Sequence, residues 1–467
     1  MLGIVLARDS AVPLARQIYA QIRDRILAGQ LAAEDILPST RELSKSLGVS
    51  RNTLIEAYEL LWAEGYIAAR QGSRYRVEKD VVLRHRNIRV PTLTIATESR
   101  PAARYDFRTG IPDLDRFPFS VWNRIQRSVL DHLKPRDLLY GDAAGYGPLR
   151  EAIARWLLRT RGIATDPGAV FITSGATHAL SLAVEALRRD GAVFAVENPC
   201  HHGIVRMLGL KGIGVAPVLV DEHGLVVEDM PGENAACAYV TPSHQFPLGS
   251  VLSASRRIAL MEWAEQCDGY VIEDDYDSEY RYAGLPLTPL HSLNPGRVVY
   301  LGTFSKTLFP ALRIGFALVP DRFRTQWSVF RRYTDVQSPV VEQAVLAEFL
   351  ESGRMERHIR AMGKAYGRKR EALVGALGKT FGDRVRVLGD KTGLHLAARF
   401  AGHGFGREFK KRCGDGGLFV TPCAAYEVAS GRYADTLLLG YGNIREDRIH
   451  GGVAALCRFV NEQQSGG

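Results

Sequence analysis

Most of this chain alternates long apolar stretches of helical periodicity with short runs rich in Val and Ile. From about Asp106 onwards the short runs include GAVFI, AVFAVE, ACAYVTP, YVIEDDYD and VVYLGT. Strands that alternate with helices form βαβ units, in which the crossover helices cover the faces of a mostly parallel sheet. The alternation therefore predicts an α/β fold for this part of the chain.

The composition indicates a folded protein with a sizeable core. Of 467 residues, 46% are hydrophobic and 24% are charged, which argues against a disordered, collagen-like or low-complexity chain. Six cysteines occur with no CxxC pair and no histidine at metal-ligand spacing, so we predict a reduced, cytoplasmic protein without a structural metal. No apolar run approaches the roughly 18 residues of a membrane span, and we predict no signal peptide and no membrane partner.

Residues 1–78 follow a different pattern, that of three helices and a hairpin. Apolar residues recur at every fourth position from Leu14 to Ile26, which predicts an amphipathic helix. Ser39 and Glu42 have the spacing of a capping box that begins a second helix, and residues 48–50 supply a tight turn into a third. Two short extended runs around residues 71–73 then predict a β-hairpin. This order is typical of a winged helix-turn-helix.

In such a unit the first residues of the third helix meet base edges, while nearby basic and hydroxyl side chains hold phosphates. The candidate base-reading residues are Ser50, Arg51, Asn52 and Thr53, and the candidate phosphate or wing contacts are Arg41, Arg70 and Arg74. The net charge of +9 favours an anionic partner such as nucleic acid. The alternative is a small helical subdomain with an ordinary solvated face, since residues 1–78 carry ten basic and nine acidic residues.

Residues 79–105 separate the two patterns. Pro91 and Pro101 interrupt any helix there, and between residues 79 and 104 six basic residues face two acids. We predict a flexible basic linker whose cations add nonspecific, salt-sensitive affinity for DNA.

Lys306 lies in the segment with the most distinctive chemistry, YLGTFSKTLFPALRIGF. It follows a predicted strand, between the hydroxyls of Thr303 and Ser305 and Arg313 seven residues further on. A lysine that forms a Schiff base needs a site that stabilises its neutral amine, and an anchored phosphate needs hydroxyls and a cation. Taken alone, Lys306 is equally well interpreted as a surface lysine.

Two further motifs supply groups that a pyridine cofactor requires. YVIEDDYDSEYRY ends a strand with acids, at the edge where α/β sheets place their ligands. Asp274 suits a protonated pyridine nitrogen there, and Tyr276 suits a phenolate oxygen. VFITSGATHALSLAVEAL is a strand, a turn of small residues and a helix, so that the amides around Gly175, Ala176 and Thr177 can hold a phosphate.

In the order phosphate turn, Asp, Lys and Arg, these motifs resemble the fold-type I pyridoxal 5'-phosphate (PLP) aminotransferases, over nearly all of residues 106–460. LPSTRELSKSLGVSRNTLIEAYELLWAEGYI resembles the winged helix of GntR-type bacterial regulators. Together with TPSHQFPLG, EDDYDSEYRY, MERHIRAM and TGLHL, they make the chain similar to the MocR subgroup of GntR regulators. The resemblance implies a winged helix (1–78), a linker (79–105), and large (106–345) and small (346–467) aminotransferase-like domains.

The resemblance also implies roles for individual residues. Lys306 would carry the internal aldimine, Asp274 would pair with the ring nitrogen, and Tyr276 would contact the ring hydroxyl. The residues around the phosphate would be Gly175, Ala176, Thr177, Thr303, Ser305 and Arg313. Tyr140 matches a tyrosine that reaches a phosphate in the partner subunit, which implies a head-to-tail homodimer.

Several positions depart from the family pattern. Arg74 stands where the wing has a second Gly. His201 occupies the place of a Tyr that stacks on the cofactor, and His202 competes with it for that role. Phe246 replaces an Asn that contacts the ring oxygen, and Leu438 replaces the arginine that grips a substrate carboxylate. Without that arginine the chain lacks a strong ionic pair to the carboxylate of an amino acid, which favours a regulator over an enzyme.

We therefore predict a PLP-dependent transcriptional regulator whose winged helix binds double-stranded operator DNA. The aminotransferase-like part would sense either PLP itself, captured by Lys306, or a small amino compound. The alternatives are a catalytically active aminotransferase that carries a DNA-binding module, and a protein that is both enzyme and repressor.

Overall fold

The computed structural model describes residues 2–69, 74–81, 103–284, 287–429 and 431–465. The chain divides into two compact units, Met1–Glu98 and Ser99–Gly467. In the part of the chain that the structure describes, no helix combines the length and the apolar character needed to cross a bilayer.

The N-terminal unit has the predicted order of helices and hairpin. Its elements are α1 (Leu14–Leu27), α2 (Thr40–Leu47), α3 (Arg51–Ala63), β1 (Ile67–Ala68) and β2 (Arg76–Val77). Ile18, Ile22 and Ile26 of α1 are fully buried against Leu54 and Tyr58 of α3, as the four-residue spacing predicts. β1 and β2 pair antiparallel, as predicted for the wing, but Arg70 and residues 71–73, which were predicted to connect them, lie outside the described residues.

The turn between α2 and α3 is built from local caps. The Ser39 hydroxyl accepts from the amide of Glu42, and the Glu42 carboxylate accepts from the amide of Ser39, so the predicted capping box is present. Gly48 ends α2 with φ +64°, a left-handed conformation that favours glycine. Ser50 then caps α3, so the chain turns within three residues into the third helix.

The second unit contains a large sheet of eight strands in the order β4-β11-β10-β9-β8-β5-β6-β7. Its strands are β4 (Val170–Thr173), β5 (Val193–Asn198), β6 (Gly214–Asp221), β7 (Gly224–Leu225), β8 (Ala235–Val240), β9 (Tyr270–Asp275), β10 (Val298–Thr303) and β11 (Gly315–Leu318). The central strands β10, β9, β8, β5 and β6 are parallel, whereas β11 and β7 run antiparallel to their neighbours. All five runs singled out in the sequence are strands of this sheet, and the α/β fold is confirmed.

Helices cover both faces of the large sheet. They are α4 (Phe119–His132), α5 (Gly147–Arg161), α6 (Ala176–Leu187), α7 (His202–Leu210), α8 (Ala254–Gln266), α9 (Asp321–Thr334) and α10 (Val340–Glu351). Ile172 of β4 packs in one core with α5 and α10, while its neighbour Phe171 packs in another with α6 and α9. Successive strand residues point to opposite faces, so both faces of the sheet are apolar.

The C-terminal part of the same unit forms a smaller layer. Its elements, with β3 from the start of the unit, are β3 (Tyr105–Asp106), α11 (Arg354–Phe381), β12 (Arg386–Leu388), β13 (His395–Arg399), α12 (Arg407–Asp415), β14 (Leu418–Phe419), β15 (Thr421–Pro422), β16 (Thr436–Gly440) and α13 (Ile449–Ser465). An antiparallel sheet in the order β12-β13-β16-β15 packs against α11 and α13, and β3 pairs with β14.

Candidate functional site

A cavity of about 290 Å³ lies at the carboxyl ends of β8, β9 and β10, beside the first turn of α6. Open α/β sheets bind ligands at this edge, where loops from neighbouring strands meet. Nine of the predicted cofactor residues line the cavity: Ala176, Thr177, His201, Asp274, Tyr276, Thr303, Ser305, Lys306 and Arg313. The fold thus brings together groups that lie up to 137 residues apart in sequence (313 − 176).

Lys306 reaches the cavity from the loop after β10. Its Nζ donates to the carbonyl oxygen of Gly110 at 2.8 Å. Gly110 has φ +77°, and a Cβ at this position would lie 2.9 Å from Nζ, so glycine lets the backbone approach the amine. Burial lowers the pKa of Lys306, whereas the nearby carboxylates of Asp277 and Asp274 act to raise it. A lowered pKa increases the fraction of the neutral, nucleophilic amine.

Asp274 offers an unpartnered carboxylate oxygen in the same cavity. Its Oδ2 accepts from the hydroxyl of Tyr239 at 2.7 Å, whereas its buried Oδ1 has no hydrogen-bond partner among the described residues. Burial raises the pKa of Asp274 to about 6, although the hydrogen bond from Tyr239 acts in the opposite direction. A buried polar atom without a partner is costly unless a ligand satisfies it, and a protonated pyridine nitrogen provides the matching donor.

Residues at the start of α6 and after β10 form a cradle suited to an anion. Gly175 precedes α6 with φ +87°, and a Cβ there would lie 2.9 Å from the guanidinium of Arg313. Arg313 is held by a bond from its Nη2 to the carbonyl of Ser174 at 2.6 Å. The hydroxyl of Thr303 donates to that of Ser305 at 3.1 Å. A helix N-terminus, two hydroxyls and a guanidinium together match the charge and donors that a phosphate requires.

The two neighbouring histidines differ in position. His201 lines the cavity, and its ring centroid lies 5.8 Å from that of Phe246. Burial lowers the pKa of His201, as do His202 and Lys306, so the neutral ring is favoured. His202 instead stacks on Tyr426 with centroids 4.5 Å apart. Of the two, His201 is therefore the one that lines the cavity together with Asp274, and its stacking on a cofactor stays a prediction.

Tyr276 belongs to a cluster that sequence reasoning missed. Its hydroxyl donates to the carbonyl of His244 at 3.0 Å and lies 3.1 Å from Nδ1 of the same residue. That Nδ1 also lies 2.9 Å from Oδ1 of Asp277, and the ring of His395 lies 4.9 Å from the His244 ring. His244, Asp277 and His395 are buried. Each offers one atom that could bind a metal ion, a ring nitrogen or a carboxylate oxygen, and these three atoms lie within 4.8 Å of one another. TPSHQFPLG and TGLHL carry these histidines, but their spacing alone gave no indication of the contact.

Of the positions named from the sequence, Gly175, His202, Tyr140 and Leu438 are not part of the cavity lining. Tyr140 is 88% exposed, so its proposed contact with a partner subunit stays a prediction. Leu438 is fully buried in β16, where it packs with Ala397 and Cys423.

Four of the seven predicted DNA-contacting residues, Ser50 to Thr53, lie at the start of α3. Arg51 and Asn52 are exposed in its first turn. Ser50 and Thr53, predicted as base readers, are engaged in capping, because the Ser50 hydroxyl accepts from the Thr53 amide at 3.1 Å and lies 2.8 Å from the Thr53 hydroxyl. Arg41 is exposed at the start of α2, and Arg74 lies 3.8 Å from Glu42.

Comparisons with known proteins match both the N-terminal unit and the second unit to known families. Residues 14–77 match the family of bacterial regulatory proteins called the gntR family, and residues 106–433 match aminotransferase class I and II. The probable rhizopine catabolism regulatory protein MocR of Rhizobium meliloti is 34% identical, over 85% of this chain and 84% of its own length. The HTH-type pyridoxine biosynthesis transcriptional regulator PdxR of Corynebacterium glutamicum is 33% identical, over 84% and 85% of the two chains.

A solved structure shares the fold of the second unit. The multiple substrate aminotransferase of Thermococcus profundus superposes with a TM-score of 0.72 at 25% identity, covering 79% of this chain and 93% of that chain.

Proposed function

The chain belongs to the MocR type of GntR-family transcriptional regulators, and we propose that PLP, bound in the cavity around Lys306, is its sensing element. In this proposal residues 1–78 bind operator DNA, residues 79–105 link the two parts, and residues 106–345 and 346–467 form the large and small domains of the sensor. The observation that carries the proposal is the unpartnered Oδ1 of Asp274, which belongs to the same cavity as the amine of Lys306.

The residues that line the cavity fit PLP group by group. Asp274 would hold the proton of the ring nitrogen, and His201 would cover the ring face. The phosphate would be held by the amides of residues 175–177, the hydroxyls of Thr303 and Ser305, and the guanidinium of Arg313. When bound, PLP supplies an aldehyde that reacts reversibly with a primary amine, and Lys306 provides that amine.

Two effectors are compatible with this arrangement. One is PLP itself, consistent with the name of the PdxR relative as a regulator of pyridoxine biosynthesis. The other is a small primary amine that competes with Lys306. Either can regulate only if it binds one arrangement of the protein more tightly than another, because equal affinity for both shifts no population. We propose a sensor rather than a transaminase, and a homodimer in which Tyr140 contacts the partner subunit.

A paired titration of the full-length protein tests this function. We expect added PLP to produce an absorbance band from covalent attachment, and the effector to change the affinity for a duplex from the upstream region of the protein's own gene in a gel-shift assay. A protein that stays colourless with PLP and binds no duplex would overturn the proposal. Repeated transfer of the amino group from an added amino acid to an added keto acid, which yields a new keto acid and a new amino acid, would contradict the sensor and show an active aminotransferase.

Substitution of Asp274 by Asn should weaken PLP binding. A charge-assisted hydrogen bond to a buried group contributes roughly 1.5 to 3 kcal/mol, so we expect the Kd for PLP to rise by about 10- to 150-fold. Tyr239→Phe is the matched control, because it removes the partner of Oδ2 and leaves the carboxylate in place. Absorbance titration measures the Kd for PLP of both variants. An equal Kd for Asp274→Asn and the wild type would exclude Asp274 as the partner of the ring nitrogen.

A further inference from the structure

An arm, residues 2–12, precedes the matched gntR region, which begins at residue 14. Residues 2–7 form no helix or strand, yet Leu2, Ile4 and Leu6 pack against the buried core of the N-terminal unit. Three apolar side chains at alternate positions thus face one core, which anchors this part of the arm to the unit. The arm is therefore held in place by burial as well as by polar contacts with α1.

Two glutamines of α1 fix the backbone of the arm. Gln21 accepts from the amide of Val5 at 3.0 Å and donates to its carbonyl at 2.6 Å. Gln17 accepts from the amide of Ala7 and donates to its carbonyl, both at 2.9 Å. Each side-chain amide thus pairs with a backbone residue as a neighbouring strand would. These four bonds fix the position of the backbone that leads into the next residue, Arg8.

Arg8 lies against the turn of the helix-turn-helix. Its Nη2 donates to the carbonyl of Gly48 at 2.9 Å, and Gly48 lies two residues before Ser50, the N-cap of α3. Three residues of extended chain span at most about 10 Å, so this carbonyl lies close to Arg51. The side chain is exposed, and the bond to Gly48 uses one of the five N–H donors of the guanidinium.

The charges at this end of α3 favour an anion. α3 has no acidic residue in its first turn, and the unpaired amides there carry partial positive charge. A guanidinium binds phosphate with two parallel hydrogen bonds, and such contacts position a protein on DNA without reading its sequence. These groups lie beside the residues that would read bases.

We propose that Arg8 binds a backbone phosphate of DNA next to the first turn of α3, so that the arm of residues 2–12 is part of the DNA-binding surface. This inference rests on the proposed binding of DNA by the N-terminal unit. It adds a contact from outside the matched region, positioned by Gln17, Gln21 and Gly48.

The test measures binding of the full-length protein to a labelled operator duplex and to an unrelated duplex over a series of salt concentrations. We expect Arg8→Ala to weaken binding to both duplexes by about tenfold, because a phosphate contact is independent of sequence. The slope of log K against log salt should become shallower by about 0.9, the change for one phosphate contact in B-DNA. Arg8→Lys keeps the charge and should keep the slope.

Arg25→Ala is the matched control. Arg25 donates to the carbonyl of Gly3 at 2.7 Å, so this variant also removes one cation and one contact with the arm, but at Gly3 and not at Gly48 of the turn. Its salt slope should equal that of the wild type. Thermal melting of each variant shows whether the N-terminal unit stays folded.

The outcomes separate the inference from the function it rests on. If the wild type binds and Arg51→Ala reduces discrimination, while Arg8→Ala leaves affinity and slope unchanged, the proposed phosphate contact is wrong and the function stands. If Arg8→Ala weakens only the operator complex, Arg8 contacts a base and the inference is equally wrong. If the wild type binds neither duplex, the proposed function itself fails.

Discussion

The Lys306→Ala protein should bind PLP without any covalent bond, a complete loss of the attachment expected in the wild type. Among the described residues that line the cavity, Lys306 provides the only primary amine of a side chain. The fold should persist, because the side chain makes one hydrogen bond, to the carbonyl of Gly110, and such a bond contributes about 1 kcal/mol. Borohydride reduction followed by peptide mass spectrometry measures the attachment directly.

Lys306→Arg is the control for charge in that experiment. It keeps a cation near Asp274 and Asp277 but removes the nucleophilic amine, so it too should yield no reduced adduct. Because burial lowers the pKa of Lys306, the wild type should reach full attachment at a lower pH than an exposed lysine does. An adduct retained in Lys306→Ala, on any other residue, would mean that a different amine captures the cofactor.

The cavity could be anticipated from the sequence because its parts follow parallel strands. Asp274 is the second-to-last residue of β9 and Lys306 follows the end of β10 by three residues, and the carboxyl ends of parallel strands meet at one edge of a sheet. Gly175 follows β4 in the same way. The order of motifs along the chain, together with the rule for open sheets, was therefore enough to place the three in one site.

The cluster behind Tyr276 could not be anticipated in this way. His244 follows β8, whereas His395 begins β13 of the smaller sheet, 151 residues later (395 − 244). Their contact depends on how two layers pack, and no local spacing records that. Asp277 was likewise hidden among five acids of one motif, EDDYDSE. Only the fold shows that Asp277 contacts His244 and that it lines the cavity together with Asp274.

Two strands and two side chains show where local patterns are insufficient. β11 is four residues long and begins with Gly315, and β6 contains Pro217, so neither carries a strong strand signal.

Ser50 and Thr53 have the residue types of DNA-contacting groups, but the same hydroxyls are ideal helix caps. In the structure the two hydroxyls bond to each other, and the Ser50 hydroxyl accepts from the Thr53 amide. Arg51 and Asn52 are exposed residues of that turn that take no part in the cap.

Replacement of Arg51 or Asn52 by Ala should therefore reduce the preference for operator over unrelated DNA. Each base contact that is lost should cost about 1 to 3 kcal/mol of discrimination, which is roughly 5- to 150-fold in relative affinity. Glu59→Ala, an exposed position further along the same helix, is the control and should leave discrimination unchanged. Ser50→Ala should instead lower the free energy of unfolding by about 0.5 to 2 kcal/mol, through loss of the cap. Unchanged discrimination in both Arg51→Ala and Asn52→Ala would show that bases are read by another surface, because these two exposed side chains take no part in the cap of the turn.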